Sequence, residues 1–195
     1  MSLNSERIGI KKLPVLSDLE FFNFIKKFYS CIDTRTGKVN PNKCKILEKI
    51  DGQAFHIAYN NGELFFENSH SGLLKVNEIT GFVKDYVIEI NRVISPLIQN
   101  VFEEVKNLLE DDITGIKLNG ELIFVKDNND NDTITPVCAT YDIKHFGRVG
   151  GMCLFNVQVI KNDELYDIFN IEDKIEDIIC NKLGTSEFNF IKSAS

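Results

Sequence analysis

A lysine two residues before an Asp-Gly pair is the feature of this chain best suited to chemistry. Glu48-Lys49-Ile50-Asp51-Gly52 closes a β-type run from Lys45 to Lys49, and a second strand-like run follows at once. A lysine amine at a strand end beside an Asp-Gly turn can serve as a covalent nucleophile. A protonated amine is a poor nucleophile, so such a site must lower the lysine pKa or supply a neighbouring cation. Gly52 lets backbone come close to phosphate with no Cβ in the way. The same four residues also occur in hairpin turns, where Lys49 would be an ordinary strand-end lysine with its charge in water.

Two further segments follow in order: Lys117-Leu118-Asn119-Gly120-Glu121-Leu122, and Met152-Cys153-Leu154-Phe155-Asn156-Val157. Each has a plain reading. Asn119-Gly120 is a turn signal, which would make Glu121 a hairpin residue. Phe155 lies in an apolar strand, where a phenylalanine is more often core than ligand platform. Glu48 and Lys49 are strand neighbours whose side chains leave opposite faces. Both reach one ligand only if the strand ends or twists there, and Gly52 offers the break.

The elements that must position these residues are legible in outline. Ser17 and Glu20 have the form of a capping box ahead of a helically spaced run that ends near Cys31. Strands are expected at Lys45 to Lys49, Phe55 to Tyr59 and Leu64 to Glu67. Asn60-Asn61-Gly62 joins the last two as a hairpin, since Asn and Gly tolerate positive φ. From about Asn77 to Asp111 the pattern is helical. Apolar residues at Val93, Leu97, Val101, Val105 and Leu108 keep a three-to-four spacing, and Pro96 marks a start or break. Ile116 to Val125 and Met152 to Ile160 read as strands, Ile171 to Leu183 as an amphipathic helix, and Phe188 to Ile191 as a final short strand. The expected class is α+β with several antiparallel neighbours, in a single domain over residues 1–195.

Composition narrows the function classes. Of the 195 residues 43% are hydrophobic and fifteen are Phe, enough for a real core. A formal net charge of -7 argues against a protein that simply coats nucleic acid. There is no apolar run long enough to span a bilayer and no signal peptide, so a cytoplasmic or otherwise intracellular setting is expected, phage- or virus-encoded chains included. Five widely spaced cysteines, with no Cys-x-x-Cys, point to reduced thiols and away from a zinc site. His56, His70 and His145 show no metal spacing, and no metal ligands are assigned. Asp127 to Asp132 lacks the glycine and terminal glutamate of a calcium loop. Gly147 to Gly151 precedes a strand, so it is not a dinucleotide-type phosphate loop.

Taken in order on strands, the three segments resemble the covalent nucleotidyltransferases, and among them the ATP-dependent RNA ligases of the phage and RNA-editing type. Those carry Glu-Lys-x-[His/Asp]-Gly, then a strand with Gly-Glu-[Leu/Phe], then an apolar strand with Phe-Asp. The resemblance covers roughly residues 44–160. It implies an antiparallel-sheet, ATP-grasp-like adenylylation domain with flanking helices. It also implies ATP with AMP as covalent intermediate, magnesium, and RNA ends as substrate. Lys49 would form the lysyl-AMP bond. Glu48 would face the adenine amino group, Glu121 would hold the ribose hydroxyls, and Phe155 would stack on the base. Ile50 and Gly52 would belong with the nucleotide-binding residues. These roles suit the residue types: carboxylates accept hydrogen bonds from amines and hydroxyls, and stacking on an aromatic face is worth about 1–3 kcal/mol per base.

The chain also departs from that pattern. His70 stands where an arginine is expected, and histidine holds full charge only below a pKa of about 6.5. Gln53 and Ala54 replace a favoured Thr-Asn, and Asn156 replaces the usual aspartate. No Glu-Gly-x-Val-x-Lys or Lys-x-Lys run follows Phe155. The expectation is therefore the N-terminal part of a longer ligase, weak by itself in sealing. Two other readings compete: a DNA ligase or GTP-using capping enzyme, and a non-catalytic nucleotide-binding relative.

Overall fold

The computed structural model describes residues 17–40, 52–68, 71–81, 84–124, 147, 149–168 and 171–192. The protein is α+β, with helices α1 (Asp18–Ser30), α2 (Lys84–Leu109) and α3 (Glu172–Lys182). Its strands are β1 (Gln53–Asn60), β2 (Glu63–Asn68), β3 (Gly115–Phe124), β4 (Gly150–Lys161), β5 (Glu164–Asp167) and β6 (Phe188–Lys192). They form one sheet in the order β2-β1-β3-β4-β5, antiparallel throughout, with β6 added parallel to β4. β3 occupies one edge of β4 along nearly its whole length, so β5 and β6 share the other edge. β5 takes the Gln158 end and β6 the Gly150 end.

The hairpins are set by residues that accept positive φ. Asn61 and Gly62, at φ 50° and 85°, turn β1 into β2 as the sequence suggests. Asn162 and Asp163, at 51° and 61°, turn β4 into β5. That second hairpin escaped the sequence reading, although an Asn-Asp pair between β-type runs is the same signal.

Side chains alternate across each strand, so one face carries the core. Ile57, Leu118 and Val157 stand in one cross-strand row and are all essentially inaccessible. α2 and α3 cover this face with Ile90, Ile94, Ile98, Val105, Ile175 and Ile179.

Pro96 neither starts nor breaks α2: it lies inside the helix, on the exposed side. A mid-helix proline costs about 3 kcal/mol. α2 buries eight apolar residues against the sheet, each contributing roughly 1.5–3 kcal/mol, so burial outweighs the lost hydrogen bond. The helix begins at Lys84 rather than near Asn77. A single 3-10 turn at Val76–Glu78 precedes it, and Gly81 at φ 82° intervenes.

Cys31, Cys153 and Cys180 are not joined in disulfides. Burial, then the nearby Glu176 carboxylate, pushes the Cys180 thiol from its ordinary 9.0 up to about 11. Folding thus holds the proton. The stability this contributes is complete below pH 9 and fades as pH rises toward 11. At pH 8 the thiolate fraction is about a hundredfold below that of an ordinary thiol. Alkylation of Cys180 by iodoacetamide, followed by peptide mass spectrometry, should be slower by about that factor in folded than in urea-unfolded protein.

Candidate functional site

The sheet face turned away from α2 carries polar side chains in consecutive cross-strand rows. His56 of β1, Asn119 of β3 and Asn156 of β4 form one row. Ala58, Lys117, Gln158 and Asp167 form the next, and Ala54, Glu121 and Cys153 lie on the other side of the first. β3 is continuous through Asn119-Gly120, which is not a turn. Instead the register shifts there: Asn119 pairs with Asn156 while Gly120 pairs with Leu154, leaving Phe155 as the extra residue of a bulge. Leu154 and Val157 are both in the core, so Phe155 and Asn156 lie between two core-facing residues. Phe155 packs against the small cluster of Ile123 and Cys153 on this second face and stays half-buried.

Gly120 makes the bulge possible. A Cβ on it would sit 2.1 Å from the Cys153 carbonyl oxygen. Gly52 is also tightly placed. A Cβ there would stand 2.8 Å from the Leu122 carbonyl oxygen, 3.1 Å from Glu121 Cβ and 3.5 Å from Glu121 Oε2. The last residue of the Lys-x-Asp-Gly pattern therefore lies against Glu121, and Glu121 pairs directly with Cys153, on which Phe155 packs. Gly52, Glu121 and Phe155 share one end of one sheet face. Glu48, Lys49, Ile50 and His70 lie outside the described residues, as do the expected strand at Lys45 to Lys49 and the Asp127 to Asp132 segment.

The rest of the face is tied together internally. Lys117 Nζ and Glu67 Oε2 are 2.6 Å apart, with their side chains only 12% and 26% exposed. The Asn119 amide nitrogen donates to Asn156 Oδ1 at 2.9 Å and to Gln158 Oε1 at 3.0 Å. Asn156 and Gln158 then donate to the same oxygen, Asp167 Oδ1, at 3.3 and 3.0 Å. The sequence reading missed this group. Asn156 stood out there only as a departure, and Gln158 and Asp167 were not singled out. Alternation along β4 would have placed Gln158 on the face of Asn156, but the partnership with β5 is a matter of register.

Among the described residues no three His, Cys, Asp or Glu side chains are grouped as metal ligands. No described helix is long and apolar enough to cross a membrane. A cavity of about 310 Å³ lies elsewhere, between the β1–β2 hairpin and α2, lined by Tyr59, Leu64, Lys75, Asn91 and Ile98. Its Lys75 is held by Glu63 at 2.6 Å.

No family model matches the chain, and no curated protein matches it.

Proposed function

We propose that the chain is the adenylylation part of an ATP-dependent RNA ligase. The observation that supports this most is the approach of Gly52 to Glu121, with Phe155 at the same end of the face. It brings three segments far apart in sequence to one end of one sheet face, which supports reading Phe155 as an aromatic platform, Glu121 as a carboxylate for the ribose, and Gly52 as the last residue of the Lys-x-Asp-Gly pattern.

In this reading the Lys49 amine, once deprotonated, attacks the α-phosphorus of ATP. A nitrogen–phosphorus bond forms, the bond from the α-phosphorus to the bridging oxygen breaks, and pyrophosphate leaves. AMP then passes to the 5′-phosphate of an RNA end, freeing the lysine. A 3′-hydroxyl displaces AMP and seals the strand. Glu121 accepts hydrogen bonds from the ribose and fixes the sugar, so the α-phosphate is presented to the lysine rather than to water. Magnesium would supply neutralisation of the phosphate charge. It binds mostly through phosphates and its own waters and needs no protein cage, so no residue of this chain is assigned to it.

A second reading, a nucleotide-binding relative without catalysis, draws on Lys117. Its charge is already paired with Glu67 on this face, which leaves less cation for phosphate. One experiment separates these readings and the GTP-using one. The protein is incubated with magnesium and ATP or GTP labelled at the α-phosphate, then denatured and run on a gel. Label from ATP alone supports the ligase reading. Label from GTP supports a capping enzyme. Saturable binding with no covalent label supports the non-catalytic relative.

A further inference from the structure

The amide group on the sheet face turned away from α2 has a direction, and Asp167 sets it. An amide side chain can turn end for end, exchanging donor for acceptor. An ionised carboxylate can only accept. Asp167 Oδ1 receives Asn156 Nδ2 and Gln158 Nε2, so both amides must turn their nitrogens toward β5. Their oxygens then face β3, where each takes one proton of the Asn119 amide. Both protons of that nitrogen are engaged, so only the Asn119 oxygen is left to meet a ligand, and it can only accept. Asn119 is 6% exposed, and a buried relay of this kind holds its orientation because reversing one amide would set nitrogen against nitrogen or oxygen against oxygen.

We infer that this relay is a base selector, resting on the nucleotide-binding reading above. Asn119 stands opposite Asn156, the residue next to Phe155. A purine stacked on Phe155 would bring its six-position edge toward this row. Adenine carries an amine there, which donates to the Asn119 oxygen. Guanine carries a carbonyl, which meets that oxygen as a second acceptor and leaves both unsatisfied. Asn119 is a second acceptor for the adenine amine beside the expected Glu48 and so a specificity-determining residue, and Asp167 is a positioning residue that acts through Asn156 and Gln158.

The test measures equilibrium binding of α,β-methylene ATP and α,β-methylene GTP, which cannot transfer AMP or GMP to the lysine. The parent chain should prefer the adenine analogue by about tenfold or more. Asp167→Asn keeps the shape but lets the end of the relay donate, so its direction is no longer fixed. Asn119→Leu removes the acceptor. Both should lower the adenine-to-guanine ratio severalfold, while a purely structural role would weaken both analogues together. In the parent protein the adenine analogue should also shift the side-chain amide NMR signals of Asn119. If neither analogue binds, the nucleotide reading and the selector fall together. If the adenine analogue binds but the Asn119 signals stay still, the selector alone falls. It also falls if a folded variant keeps the parent's ratio.

Discussion

Lys49→Ala should remove all covalent AMP from the protein while its circular dichroism spectrum remains that of the folded chain. The proposed adduct is a phosphoramidate, which needs a nitrogen nucleophile with a free lone pair, and in this reading that nitrogen is the Lys49 amine. The bond should survive alkali and break in acid, unlike the ester a serine or tyrosine would give. Lys49→Arg should fail as completely. A guanidinium stays protonated across the accessible pH range and cannot supply a lone pair. The charge would be kept and the nucleophile lost, so the pair of variants separates an electrostatic role from a covalent one. Labelling that survives Lys49→Ala would place the nucleophile on another side chain and detach the Lys-x-Asp-Gly pattern from the chemistry. Glu121→Ala should instead weaken ATP binding and slow labelling without abolishing it, since a ribose contact positions the phosphate but takes no part in bond making.

What could be read in the sequence was local. Asn61-Gly62 announced its own hairpin because two positive φ values in succession admit few residues. The three-to-four spacing of Val93, Leu97, Val101, Val105 and Leu108 announced α2, and Val93, Val101 and Val105 of that set are buried in it. Glu121 and Phe155 were placed on strands correctly. What could not be read depends on which strand lies beside which. The parallel pairing of β6 with β4 joins residues that no turn connects. The relay from Asn119 to Asp167 spans three strands, and its members are ordinary polar residues until the register places them together. Asn119-Gly120 was ambiguous between strand and turn for a physical reason. A glycine that permits a turn and a glycine that permits a carbonyl to approach look alike in a sequence. Pro96 misled because its cost is fixed locally while the burial that outweighs it comes from the sheet.

Gly120→Val should be strongly destabilising, because Gly120 stands in the core-facing row between Phe55 and Leu154. A Cβ at this position meets the Cys153 carbonyl oxygen at 2.1 Å and the Cys153 carbonyl carbon at 2.9 Å. Both are backbone atoms in the middle of the sheet, so no side chain can swing away to make room. The strands must part or the bulge must be lost. Overpacking of this kind costs about 3 kcal/mol or more, which for a chain of this size lowers the melting midpoint by about 6–12 °C. Gly72→Val is the matched control. Gly72 is exposed, and a Cβ there meets nothing within 4 Å, so stability should stay within about 0.5 kcal/mol. The bulge also decides where Phe155 and Asn156 stand relative to Glu121. A strand without the extra residue would alternate strictly and send one of the two into the core. Gly120→Val should therefore lower AMP labelling even at temperatures where the variant is fully folded. If labelling per folded molecule were unchanged, the bulge would serve the sheet alone, and the link drawn between Glu121 and Phe155 would have to be given up.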